Sequence, residues 1–221
     1  VSDNVKLIGI YFPNMATGKT SNIEFFKKIY DFAVSNDILV INDNPYSFIL
    51  NDNPLSFLSV DSSFDHCLEL NSLSKSHNMA GWRVGMVVGS RNNINTILKV
   101  KSNIDSGMYY GIQKGAIEAL CLNSSWYKSL NKIYLERREI VYKICDKLGL
   151  TYDKNLTGMF VWAKLPEGHT DSEDFIDQLL LEKHIFLAPG TIFGSAGQGY
   201  IRFSLCVEKS LIIVALNRLD K

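Results

Sequence analysis

The chain has 221 residues, 46% of them hydrophobic and 21% charged, which suffices for one large domain or two modest ones around a substantial core. Its 23 Lys and Arg balance 23 Asp and Glu, so no basic excess favours nucleic acid or an anionic membrane surface. No apolar run is long enough to span a bilayer, the opening "VSDNVK" does not read as a signal peptide, and small-molecule or protein partners in the cytoplasm are the expectation.

Along the chain, "VKLIGIYF" (5–12) is a short apolar run ending at Pro13, the profile of a buried strand. "SNIEFFKKIYDFAVSND" (21–37) opens with a Ser21/Asn22 cap and spaces Ile23, Phe26, Ile29, Tyr30 and Ala33 along one helical face. "ILVIND" (38–43), "HCLELNSLS" (66–74) and "WRVGMVVGS" (82–90) give three more strands. Strands alternating with helices predict an α/β fold with a mainly parallel sheet whose faces are covered. Sites in such sheets gather at the C-terminal strand ends, where Asn14, Asp43 and Ser72–Lys75 fall.

From about residue 91 the pattern turns helical, and "SWYKSLNKIYLERREIVYKICDKLG" (125–149) predicts one long helix that Gly149 ends. "GMFVWAKL" (158–165), the helix "DSEDFIDQLLLEKH" (171–184), "YIRFSLCV" (200–207) and a closing helix predict a smaller α+β domain. The expected boundary lies between 1–124 and 125–221. Cys67, Cys121, Cys145 and Cys206 stand in apolar stretches with no CxxC pair, the pattern of buried thiols in a reducing compartment. His66, His77, His169 and His184 show no metal-ligand spacing, so no metal site is expected.

"ATGKT" (16–20) matches the tail of a phosphate loop, but Pro13 stands where the spacing requires glycine, and a polar turn is the better reading. In "INDNPYSF", Asp43 and Tyr46 lie three apart where a strand enters a turn, and a buried Asp43 needs a positive partner. In "ELNSLSKSHNMAGWRVG" (69–85), two hydroxyls and a guanidinium, Ser72, Ser74 and Arg83, suit a phosphate. A lysine in their positive field, Lys75, is suited to act as a nucleophilic amine. A solvated serine-rich turn is the bland alternative. In "YIRFSL" (200–205), Arg202 faces opposite to Ile201 and Phe203 and wants a carboxylate.

Taken together, these stretches resemble pyridoxal-phosphate enzymes of the aspartate-aminotransferase superfamily, fold type I, class I/II. "SLSKSHNMAGWRVG" looks like the family's cofactor-lysine signature, "DNPY" like its DxxY pair, and "PGTIFG" with "YIRFSL" like its carboxylate-binding segment. "SNIDSGMYYGIQ" (102–113) and "GMFVWAKLP" (158–166) also read like the family. The resemblance implies a partial large cofactor-binding domain followed by a small C-terminal one. It implies that Lys75 holds pyridoxal 5'-phosphate as a Schiff base and moves a proton at the substrate Cα. It further implies that Asp43 pairs with the pyridinium nitrogen, that Tyr46 bonds the ring's phenolic oxygen, and that Ser72, Ser74 and Arg83 hold the phosphate. Arg202 would bind the substrate α-carboxylate.

Two departures stand out. The family's NPxNPTG is here "FPNMATG" (12–18), with Met15 in place of the ring-binding asparagine and Asn14, one residue early, as the candidate cofactor-binding residue of this turn. The resemblance also begins mid-domain, so the chain is expected to be a portion of a longer protein or to be completed by a partner. The implied activity is transfer of an amino group between an α-amino acid and a 2-oxo acid, in a homodimer. The alternatives are a β-eliminating C–S lyase on the same scaffold and a non-catalytic, aminotransferase-like regulatory domain.

Overall fold

The structure is a computed structural model that describes residues 4–220. It divides into two compact units: the described residues up to Pro13 with Thr20–Tyr127, and Asn14–Lys19 with Lys128 onward.

In the first unit, β1 (Leu7–Ile10), β2 (Leu39–Asp43), β3 (Cys67–Ser72) and β4 (Gly85–Gly89) form one sheet in that order. β1, β2 and β3 run parallel, while β4 lies antiparallel to β3. Helix α1 (Ile23–Ser35) begins where Asn22 accepts the Phe25 amide at 2.8 Å, the expected cap. Of its predicted apolar face, Phe26 and Ala33 are fully buried and Ile29 and Tyr30 partly so, whereas Ile23 is exposed. Phe26 meets Phe57 edge-on at 5.1 Å and joins Ile38, Val40 and Cys67 in one core. Each such buried aromatic stabilises the fold by about 1.5–3 kcal/mol.

Two buried polar side chains hold that side of the sheet. Asn42 is fully buried; its Oδ1 accepts the Phe12 amide at 3.0 Å and its Nδ2 donates to the Phe12 carbonyl at 3.3 Å. The chain leaving β1 is thereby clamped to β2. Glu69 of β3 accepts hydrogen bonds from Asn44 Nδ2, the Ser56 hydroxyl and the Phe57 amide at 2.9, 2.7 and 2.7 Å. A buried carboxylate survives there because three donors replace its water.

The expectation of covered faces fails at β4. Met86, Val87 and Val88 remain 37–40% exposed, and Leu7 on β1 is 51% exposed. β4 is an edge strand with no described partner on its outer side, so an apolar sequence alone does not bury it. The remaining helices of this unit are α2 (Leu73–Ser76), α3 (Arg91–Ile104) and α4 (Tyr110–Leu120), followed by the first residues of α5 (Ser124–Lys147).

The second unit is an antiparallel sheet, in the order β5 (Thr151–Tyr152), β6 (Phe160–Lys164), β8 (Tyr200–Ser204) and β7 (Ala188–Pro189), with α6 (Ser172–Lys183) and α7 (Lys209–Arg218). The alternation read in the sequence holds: Val161, Ala163, Ile201 and Phe203 are buried, while Phe160, Trp162 and Arg202 share the other face. Gly149 sits at φ +67°, in the left-handed region, just past α5.

The thiols divide. Cys67 and Cys145 are buried, and burial pushes both up to about 12. Cys121, at the end of α4, and Cys206, in the turn after β8, are exposed, contrary to the expectation of four buried cysteines. Both stand where an element ends, Cys206 next to the fully buried Leu205, so apolar neighbours do not decide which way they face. Among the described residues no group of three or more His, Cys, Asp or Glu could hold a metal, and no helix is long and apolar enough to cross a membrane.

Candidate active site

The parallel register sets the site. Asp43, the last residue of β2, lies opposite Leu70, two residues before Ser72 and on the same sheet face. Ser72 ends β3 and lies opposite Gly85 of β4. The chain then turns into α2, which carries Ser74 and Lys75. Asp43, Ser72, Ser74 and Lys75 thus sit at the C-terminal ends of adjacent parallel strands, the position from which such sheets present ligand-binding groups.

Ser72 caps α2: its hydroxyl accepts the Ser74 amide at 3.1 Å and donates to the Val84 carbonyl at 3.4 Å. Val84 also accepts the Leu73 amide at 3.3 Å, which draws the residue after Arg83 against the lysine turn. Arg83 itself has φ +54°, a left-handed conformation that costs a non-glycine residue about 1–3 kcal/mol and is found where function holds it. Its guanidinium is exposed and spends one donor on the Ala80 carbonyl at 3.0 Å. Among the described residues, neither the Lys75 amine nor the Ser74 hydroxyl has a hydrogen-bond or ion-pair partner.

Asp43 is half-buried, and desolvation holds its carboxyl above the usual carboxylate range. The cation that the sequence demanded for it is absent: no described Lys, Arg or His forms an ion pair with it. Tyr46 follows three residues later and is buried, 6% exposed.

Asn14 and Arg202 belong to the second unit. Asn14 Oδ1 accepts the Ala16 amide, the Thr17 amide and the Thr17 hydroxyl at 3.1, 3.0 and 3.0 Å. That oxygen serves its own turn, which explains how the loop keeps its shape with Met15 exposed beside it. Arg202 lies over the rings of Phe160 and Phe193, its guanidinium carbon 3.9 and 4.1 Å from their centroids. Both rings lie close enough to the guanidinium for cation–π contact, which fixes where its charge sits on this face of the sheet. Phe193 is delivered by the 190–197 loop, closed so tightly that a Cβ on Gly190 would lie 2.1 Å from the Gly197 carbonyl oxygen.

These residues suit pyridoxal 5'-phosphate. An unpaired, half-buried carboxylate matches a protonated ring nitrogen, an unengaged amine matches an aldehyde, and Arg83 with Ser74 matches a phosphate. The sheet presents an acid at the end of β2 and an amine on the turn after β3, beside a hydroxyl and a guanidinium, the donor set that this cofactor would need. The family model "Aminotransferase class I and II" matches residues 2–219, and the chain belongs to that family.

The LL-diaminopimelate aminotransferases of Aquifex aeolicus and Maridesulfovibrio salexigens are 36% and 35% identical to it, each over 99% of this chain. The chain spans 57% of the length of each. Among solved structures, apo-BacF from Bacillus subtilis superposes with a TM-score of 0.90 at 32% identity, over 98% of this chain and 56% of that one. A probable N-succinyldiaminopimelate aminotransferase from Thermus thermophilus gives 0.88 at 29%, over 98% and 58%.

Sequence reasoning passed over His77, Trp126, Tyr127 and the buried Glu69. Only Glu69 left a signal, a charged residue inside the apolar run "CLELN".

Proposed function

We propose that the protein carrying this chain is a pyridoxal-phosphate-dependent aminotransferase that moves an amino group between an α-amino acid and a 2-oxo acid. The observation that carries the reading is the half-buried Asp43 without a cation, one strand away from the unengaged amine of Lys75. When bound, pyridoxal phosphate supplies an aldehyde and an electron-withdrawing ring that stabilises negative charge at the substrate Cα.

Around it, each residue has one task. Lys75 would hold the cofactor through its amine and would move the proton at the substrate Cα. Asp43 keeps the ring nitrogen protonated, and its own charge is then compensated. The Tyr46 phenol donates to the ring's phenolic oxygen. Arg83 and Ser74 bind the phosphate, with Arg83 supplying the charge-assisted bonds. Ser72, whose proton goes to the Val84 carbonyl, holds the turn in shape rather than donating to the phosphate, the role expected from the sequence. Asn14, read from the sequence as a cofactor-binding residue, spends its Oδ1 on its own turn, and Arg202 takes the substrate α-carboxylate, a role that the resemblance supports. The proposal includes a cytoplasmic homodimer. The resemblance supports the dimer, and the four free thiols support the compartment.

The test is a product assay on the complete protein with pyridoxal phosphate. The expected result is that an α-amino acid becomes its 2-oxo acid only when a second 2-oxo acid is present to accept the amino group. Pyruvate and ammonia formed without an acceptor would identify elimination instead, and a protein that binds the cofactor but turns nothing over would support the regulatory alternative.

A further inference from the structure

We propose that His77 is a positioning residue for Lys75, tying the turn that carries the amine to the first turn of α5 through a chain of hydrogen bonds. The inference rests on the assignment of Lys75 made above and adds a residue to that site.

The chain begins on β3. The Ser76 hydroxyl donates to the Ser72 carbonyl at 3.2 Å, and the same oxygen lies 2.9 Å from His77 Nδ1. On the other side of the ring, Nε2 lies 3.3 Å from the Tyr127 hydroxyl. Both ring nitrogens are therefore engaged by hydroxyls, which can donate or accept as the imidazole requires. Trp126 adds a second tie: its indole N–H donates to the Ser76 carbonyl at 2.9 Å, and its ring lies parallel to the imidazole at 6.4 Å. Tyr127 in turn packs on Phe48 at 5.1 Å.

Ser76 and His77 are buried, at 2% and 6% exposure, while Lys75 between Ser74 and Ser76 stays accessible. α2 has only four residues, too short to hold its own shape. The turn is thus fastened at both ends: Ser72 and the buried Leu73 bond Val84 before Lys75, and Ser76 and His77 after it are pinned from 50 positions away in sequence. Displacing a reacting group by an ångström can cost about a hundredfold in rate, so loosening this anchor acts on the chemical step.

The test uses His77→Phe, Tyr127→Phe and the double variant in the complete protein with pyridoxal phosphate. His77→Phe is expected to lower kcat about tenfold with KM for the amino acid within about twofold, and to weaken cofactor binding, titrated by visible absorbance, by about tenfold. Tyr127→Phe is expected to lower kcat by about threefold, with the double variant no worse than His77→Phe, because one chain can be broken only once. A variant that keeps the wild-type kcat and cofactor affinity, or two effects that multiply, overturns the inference. Should His77→Phe not fold, Tyr127→Phe decides: wild-type kcat overturns the inference, and a lowered kcat with unchanged KM supports it. A wild-type protein that binds no cofactor overturns both this inference and the reading beneath it.

Discussion

Replacing Lys75 with alanine in the complete protein is expected to lower kcat by about 10²–10⁴-fold, the range that a positioned proton-transferring group contributes. The same change is expected to remove the cofactor's covalent tether. The loss should therefore appear twice, in turnover and in the visible spectrum of bound pyridoxal phosphate. An added primary amine offers the decisive control, because it can replace the missing group as a proton carrier without restoring the tether. Partial recovery of turnover with added methylamine is expected. A variant that retains wild-type turnover removes Lys75 from the chemistry. The effect is expected to be large because the amine is accessible and unengaged, so nothing else in the turn depends on it.

Asp43→Asn is expected to separate stability from function. Burial holds the Asp43 carboxyl above the usual range, so its contribution favours the folded state below the unfolded-state value, about 3.9, and is lost as pH rises through the higher folded-state value. Asparagine does not titrate. The cofactor-free variant is therefore expected to be more resistant to denaturant than wild type at pH 7, with the difference shrinking toward pH 4. Cofactor affinity should move the other way, falling by about 10–100-fold as a charge-assisted hydrogen bond becomes a neutral one. Denaturant midpoints at the two pH values and a cofactor titration at pH 7 check both arms. A variant that loses stability at pH 7 contradicts the assignment of Asp43 as a strained, uncompensated acid.

What could be read before any coordinates follows from which interactions are local. The face of α1 follows from a 3.6-residue period, and its start from one capping asparagine; both lie within a few residues of each other, and the helix forms as expected. The alternation of β6 and β8 was likewise legible, as was the stop at Gly149. The apolar pattern of β4 alone does not tell an edge strand from a central one, but the resemblance, which begins mid-domain, carried the expectation that apolar edges and faces of the sheet would be exposed, as they are at β4 and Leu7. Cys121 and Cys206 misled because apolar neighbours do not say which way a residue at an element's end will face.

At the site, Lys75, Asp43 and Arg83 stood out through the resemblance of "DNPY" and "SLSKSHNMAGWRVG" to the family's motifs, since either stretch alone reads as well as an ordinary polar turn. The left-handed backbone of Arg83 carries no residue-level mark, since arginine is an unusual occupant of that region. The three bonds at Asn14 Oδ1 and the pinning of His77 by Trp126 and Tyr127 also lay beyond reach. The first depends on how a loop closes, and the second joins residues 50 positions apart.

Mixing the complete protein with pyridoxal 5'-phosphate, reducing with borohydride and mapping the modified peptide by mass spectrometry bears most directly on the amine at the end of β3. Borohydride converts the carbon–nitrogen double bond between amine and aldehyde into a stable secondary amine, so the added mass stays where the cofactor was attached. The expected result is a single modified site, Lys75, whose labelling is lost in Lys75→Ala and weakened in Asp43→Asn. Labelling spread over surface lysines, or concentrated on a lysine other than Lys75, would contradict the account.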